Sequence, residues 1–194
     1  MTAIHRPAGG LAVLSLPLLG AAAAAAAGPA AGTGYTLLAA RSSLTYTFTQ
    51  AGAKNHGRFG AYTVSFDPAA GRLEVVIQTR SLDTGDGERN ALLRGRDFFD
   101  VARYPQARFD ATRILKAPSG YEARGSLTIR GVTRPATVHF SWRPATIGGR
   151  RVRELDGSTT VRRLDYGIGQ GQWHSTAWVG NRVTVRYALV LARG

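Results

Sequence analysis

Ser43-Leu-Thr-Tyr-Thr-Phe-Thr-Gln50 alternates apolar and polar side chains without a break. Leu44, Tyr46 and Phe48 fall on one face of an extended chain and Thr45, Thr47 and Thr49 on the other, the period-two signature of a half-buried strand. The pattern recurs along the chain. Tyr62, Val64 and Phe66 share a face within Phe59–Asp67, and Leu73, Val75 and Ile77 share one within Leu73–Thr79. Between these runs lies Asp67-Pro-Ala-Ala-Gly71, with proline and glycine where a hairpin needs them. Lys54-Asn-His-Gly57 also reads as a turn.

Further on, Ala107, Phe109 and Ala111 share one face and Tyr121, Ala123, Leu127 and Ile129 the next, across a turn at Pro118-Ser119-Gly120. After the tight connection Gly131–Pro135, Ala136, Val138, Phe140 and Trp142 alternate with Thr137, His139 and Ser141. A polar strand over Arg151–Arg162 and a glycine-rich loop over Tyr166–Trp173 precede the last run. There Val183, Val185, Tyr187, Leu189 and Leu191 line one face. The alternation also breaks between Leu82 and Pro105, where Leu92 and Leu93 sit among charges as in one or two helical turns. About eight strands with no βαβ spacing predict an antiparallel barrel or sandwich, with one helical connection over about residues 87–100 lying across an end of the sheet. The pair Phe98 and Phe99 should be buried beneath it, and Asp97 and Asp100 are candidates to cap it.

The first stretch stands apart. His5 and Arg6, the apolar run Leu11–Leu19 and the alanines Ala21–Ala27 have the three-part layout of a cleaved secretory leader. Cleavage is expected between residues 25 and 32, leaving a leader of about 1–31 and one domain over 32–194. A retained anchor is the alternative, but the strongly apolar part is short for a bilayer core of about 30 Å. The chain has no cysteine, which excludes disulfides, thiol nucleophiles and thiolate metal sites, so the domain must hold itself by core and sheet.

Charge is strongly basic, with 25 Lys and Arg against 12 Asp and Glu. The arginines are scattered along strands and turns, and export disfavours nucleic acid as their partner. Anionic membrane headgroups suit an exported protein better, and a compositional arginine bias explains the charge equally well. His56, His139 and His174 show no metal-ligand spacing, no G-x-S-x-G elbow occurs, and Gly167-Ile-Gly-Gln-Gly171 lacks a third glycine at the spacing a nucleotide loop needs and has no helix after it. That segment reads instead as a flexible loop at a barrel mouth. No catalytic or metal site is expected.

The order of motifs is informative beyond any single one. Ser81-Leu-Asp-Thr84, Glu88-Arg-Asn90, Leu92-Leu93, Asp97-Phe-Phe-Asp-Val101, Tyr104-Pro105 and Phe109 are followed by Gly125–Pro135, Arg162, Asp165-Tyr-Gly-Ile-Gly169 and Trp178-Val-Gly180. From about Tyr35 to Leu191 this succession resembles the YceI-like family. The segment Gln50–Phe59 departs from the family pattern, which often has a bulkier apolar lead-in to a histidine there. The resemblance implies an all-β, antiparallel eight-stranded lipocalin-like barrel, exported to the periplasm. Its lumen would hold an amphiphilic lipid with a polyisoprenoid tail, of the quinone or prenyl-phosphate class, without chemistry or a resident cofactor. It also implies an association of some relatives with membrane b-type cytochromes. A homodimer is left open.

With that reading, alternation nominates Tyr46, Phe48, Phe66, Ile77, Phe109, Leu127, Phe140 and Tyr187 for contact with the tail, and Arg89 and Arg96, beside the helical connection, for the head group. The competing reading is a barrel filled by its own side chains that acts through its basic surface.

Overall fold

The computed structural model describes residues 34–194. The expected leader lies outside the described residues. The strands, in chain order, are β1 (Tyr35–Leu37), β2 (Ser43–Gln50), β3 (Ala53–Phe59), β4 (Tyr62–Asp67), β5 (Arg72–Gln78) and β6 (Leu82–Asp83). Helix α1 (Gly87–Arg94) follows, then β7 (Gln106–Ala117), β8 (Gly120–Ile129), β9 (Val132–Ile147), β10 (Arg150–Arg162) and β11 (Arg182–Arg193). Pairing in the order β1-β4-β5-β7-β8-β9-β10-β11, with β1 returning to β11, closes a ring of eight antiparallel strands. Closure pairs the strand edges around the ring except where β9 and β10 part, a stable answer for a domain without disulfides.

The edge of β11 serves two strands in succession. β1 pairs with Leu191–Arg193 and β2 with Thr184–Ala188, so together they form one interrupted wall. At the interruption the Ser42 hydroxyl donates to the Leu38 carbonyl and accepts from the Val190 N–H, both at 2.9 Å, and so bridges the gap in the ladder. Ser42→Ala strips that N–H of its acceptor and should cost about 1–2 kcal/mol in chemical denaturation. β2 carries β3 outward, and β3 is covered in turn by the two-residue β6.

Residues 54–57, read above as a turn, belong to β3. The hairpin turns instead at Ala51-Gly52, whose φ values of 48° and 79° are the positive pair that a two-residue turn of this hand requires. The misreading has a physical cause. The positions of β3 opposite Phe48 and Tyr46 are Asn55 and Gly57, so its inner face carries no apolar alternation.

The helical connection is shorter than expected. Asp86 caps it, its side chain accepting from Arg89 N–H at 3.0 Å. Asp97 and Asp100 do not. The Asp97 carbonyl accepts from Gly169 and Gln170 N–H, and Asp100 turns the chain at φ 46°. Phe98 is buried as expected and Phe99 is half-buried.

Two clusters form the interior. One, around Phe66, Phe140, Leu155 and Leu191, packs one end of the barrel, where Phe66, Tyr121 and Trp142 also border a smaller pocket of about 340 Å³. The other, around Leu82, Leu93, Phe98, Ile129 and Ile168, lies beneath α1 and the segment after it.

The wall has one split. β9 and β10 pair from Arg150↔Ile147 to Ser158↔His139. Beyond that rung Thr159–Arg162 stay on β11 and Val132–Val138 stay on β8, with no rung between them. Two prolines fit this arrangement. Pro144 faces β10 beyond the last β8 rung, and Pro135 faces β8 where β10 has left. A residue without an N–H belongs where its strand has a neighbour on one side only.

Candidate functional site

Between the packed end and the helical end lies a cavity of about 560 Å³, whose lining draws on both clusters. This volume is within the range of small-molecule sites. Phe48, Ile77, Phe109 and Leu127 supply its walls, and Leu92, Leu93, Phe98 and Phe99 roof it from α1 and the turns that follow. Tyr46 and Tyr187, also nominated from alternation, line it too.

Phe66 and Phe140 do not. Both face inward, but they lie in the packed end, Phe66 edge-on to Phe140 at 5.8 Å and to Trp142 at 4.7 Å, with Phe140 stacked on Tyr121 at 5.7 Å. Alternation fixes which face a side chain takes and says nothing of its depth along the barrel axis. Of the two head-group candidates, Arg89 reaches the cavity. Arg96 lies outside the lining, exposed, with its carbonyl accepting from Arg130 Nη2 at 2.8 Å.

Several lining residues escaped the sequence reading. Arg163 is the largest omission. It shares the inward parity of Val161 on β10 and is 3% exposed. Nε donates to Gly180 carbonyl at 3.1 Å, Nη1 to Ile168 at 2.9 Å and Nη2 to Val179 at 2.7 Å. It has no carboxylate partner among the described residues, and burial draws its pKa down. The carbonyls serve as its counter-charge. A Cβ on Gly169 would meet Arg163 Nη1 at 2.1 Å, and Gly169 has φ 84°, so glycine is required there twice over. The loop expected to be free is thus fastened from below by Arg163. It is joined to the helical segment through the Asp97 carbonyl and a Phe98–Trp173 ring contact at 5.6 Å. Helix and loop make one roof.

A second fastening lies at Asp83. Its carboxylate accepts from Gly85 N–H at 2.9 Å, Asn90 Nδ2 at 3.1 Å and the Arg58 guanidinium, tying β3 to the start of α1. These donors, the Gly85 N–H first, hold its pKa down to about 2 from the usual 3.8. A depressed carboxylate stabilises the fold above its unfolded-state pKa and loses that contribution as pH falls through the folded value. Melting temperature should therefore fall between about pH 5 and about pH 2, and Asp83→Asn should flatten that part of the profile.

Two buried hydroxyls in the lining, those of Tyr46 and Tyr62, have no hydrogen-bond partner among the described residues. Among the described residues no group of three His, Cys, Asp or Glu side chains is placed to hold a metal ion.

An antiparallel eight-stranded barrel, packed at one end and hollow beneath a helical roof at the other, is a lipocalin-like fold. The chain belongs to the YceI-like family, whose domain model matches residues 35–191. BcnA of Burkholderia cenocepacia superposes with a TM-score of 0.71 at 31% identity, over 79% of this chain and 98% of that one. A polyisoprenoid binding domain from Saccharophagus degradans superposes with a TM-score of 0.64 at 19% identity, over 82% and 98% of the two chains, a likeness of fold. A UPF0312 protein of Yersinia pestis is 43% identical over 88 residues, which span 43% of this chain and 46% of that relative. The chain thus spans about half the length of such curated relatives.

Proposed function

We propose that the protein is a non-catalytic carrier, exported to the periplasm, for an amphiphilic lipid with a polyisoprenoid tail of the quinone or prenyl-phosphate class. The observation that carries this reading is the roofed apolar cavity of about 560 Å³ above a packed barrel end. A core needed only for stability would be filled, because interiors pack to crystal-like density. The likeness to a polyisoprenoid binding domain supports the choice of ligand class. The basic surface suits approach to anionic membrane headgroups.

Trp173 lines the cavity, whereas Trp142 packs against Phe66 at the other end of the barrel and Trp178 is 65% exposed. Delipidated protein titrated with a prenyl benzoquinone should show saturable quenching of tryptophan emission at one equivalent, retained when Trp178 is replaced by Phe. Quenching that never saturates, or that vanishes in Trp178→Phe, would count against binding in the lumen.

A further inference from the structure

Tyr46 and Tyr187 use the same device with different endings. Tyr46 on β2 stands directly opposite Gly57 on β3, and Tyr187 on β11 stands opposite Gly157 on β10. A Cβ on Gly57 would lie 2.3 Å from the Tyr46 ring, and one on Gly157 would lie 2.5 Å from the Tyr187 ring. Each ring therefore lies across its glycine and carries its hydroxyl to the far side of the neighbouring strand. Tyr187 there donates to the His139 carbonyl of β9. Tyr46 meets no acceptor among the described residues, because β3 is followed only by the two-residue β6, and its hydroxyl is left buried and unpaired in a residue 6% exposed. Buried hydroxyls are costly to leave unpaired, so an orphan that lines a cavity points to a ligand atom.

The charged groups that act on this hydroxyl are Asp83, Arg89 and Arg94. Both oxygens of Asp83 are engaged, and Arg94 donates to the carbonyls of Arg80 and Leu82. Among the described residues Arg89 has one ion-pair contact, to Asp86 at 3.5 Å, and it lines the cavity. We propose that the Tyr46 hydroxyl and the Arg89 guanidinium together bind an acceptor oxygen of the ligand's head group, a quinone carbonyl or a phosphoryl oxygen, beneath α1. The tail then runs towards the packed end. This rests on the carrier reading above. Tyr62 is the natural comparison, since its hydroxyl is also orphaned but the shift of its pKa comes from burial and not from a neighbouring guanidinium or carboxylate.

The test compares wild type, Tyr46→Phe and Tyr62→Phe, each delipidated, against a prenyl benzoquinone and the matching prenyl hydrocarbon without a head group. Tyr46→Phe keeps the ring over Gly57 and removes only the hydroxyl. It should weaken the quinone about tenfold, leave the hydrocarbon unchanged and leave the unliganded melting temperature equal or higher, because no bond is lost. The infrared carbonyl band of the bound quinone should sit at lower frequency in wild type than in Tyr46→Phe. Equal quinone affinity in wild type and Tyr46→Phe, or an equal loss for both probes, overturns the anchor and leaves the carrier reading standing. A wild type that binds neither probe overturns both.

A separate observation concerns access. The cavity lining includes consecutive residues of both parities on the two strands that part, Arg134–Val138 of β9 and Thr159–Arg162 of β10. Outward-facing Pro135, Thr137 and Thr160 can border an interior space only where that space reaches the outer surface. The geometry points to the β9–β10 split as a lateral portal for the lipid tail. Continuing the register beyond Ser158↔His139 sets Thr160 opposite Thr137. With no native cysteine to interfere, Thr137→Cys/Thr160→Cys can be joined by a short bis-maleimide across the split, and Thr146→Cys/Arg151→Cys across a formed rung as control. Joining the split should slow quinone uptake at least tenfold while the control keeps the wild-type rate. Equal uptake by the two joined proteins would assign loading to the roof and overturn the portal.

Discussion

Arg163→Met is expected to unfold at a melting temperature about 6–20 °C below wild type, the equivalent of about 3–5 kcal/mol in a chain of this size. The guanidinium holds the carbonyls of Gly180, Ile168 and Val179 in a site with almost no solvent contact. Methionine fills similar space and offers no donor, so three buried acceptors lose their partner at about 1–3 kcal/mol each, less than additively. Arg163→Lys should recover little of this. A lysine ammonium is compact and cannot reproduce the planar fork that spans Ile168 on one side and Val179 on the other. Because those carbonyls anchor the loop that roofs the cavity, both variants should also release bound lipid faster than wild type. A melting temperature within about 2 °C of wild type would mean the loop is held by something other than Arg163.

The second large effect is the dependence of affinity on tail length. Burial of apolar carbon contributes about 0.8 kcal/mol per CH₂, so a five-carbon isoprenoid unit contributes about 4 kcal/mol gross. Association costs about 4–15 kcal/mol, which one or two units barely offset and which about four exceed by enough for micromolar binding. The packed end sets a floor, because Phe66, Phe140 and Trp142 occupy the space below the cavity. Affinity should therefore climb steeply over the first few units and then level off once the cavity is full, with longer tails protruding. Titration calorimetry on a series of quinones from about one to eight units checks this. A flat series would remove the tail as the basis of recognition.

What could be read from the sequence was the direction of side chains. Alternation placed Val183, Val185, Tyr187, Leu189 and Leu191 on the inner face of one strand, and the proline and glycine of Asp67–Gly71 marked a hairpin that is there. Depth along the axis was not legible, so Phe66 and Phe140 could not be separated from Phe48 and Phe109. β3 was hidden because Gly57 and Asn55 take its inward positions, and only the ring of Tyr46 explains the glycine. Arg163 carried a usable signal, the same parity as Val161, but a charged residue at a strand end reads as exposed until its carbonyl partners are seen. The helix cap fell to Asp86 because its side chain reaches the Arg89 N–H three residues on, a spacing that was present in the sequence.

The carrier reading turns on whether the cavity is occupied where the protein does its work. Native mass spectrometry of the protein purified from cells that make it, followed by organic extraction and lipid identification, measures that directly. The expected result is one prenyl-tailed lipid per chain that is lost on extraction and rebinds from a quinone solution. Protein that arrives empty and takes up no added quinone would contradict the account and turn attention to its basic surface.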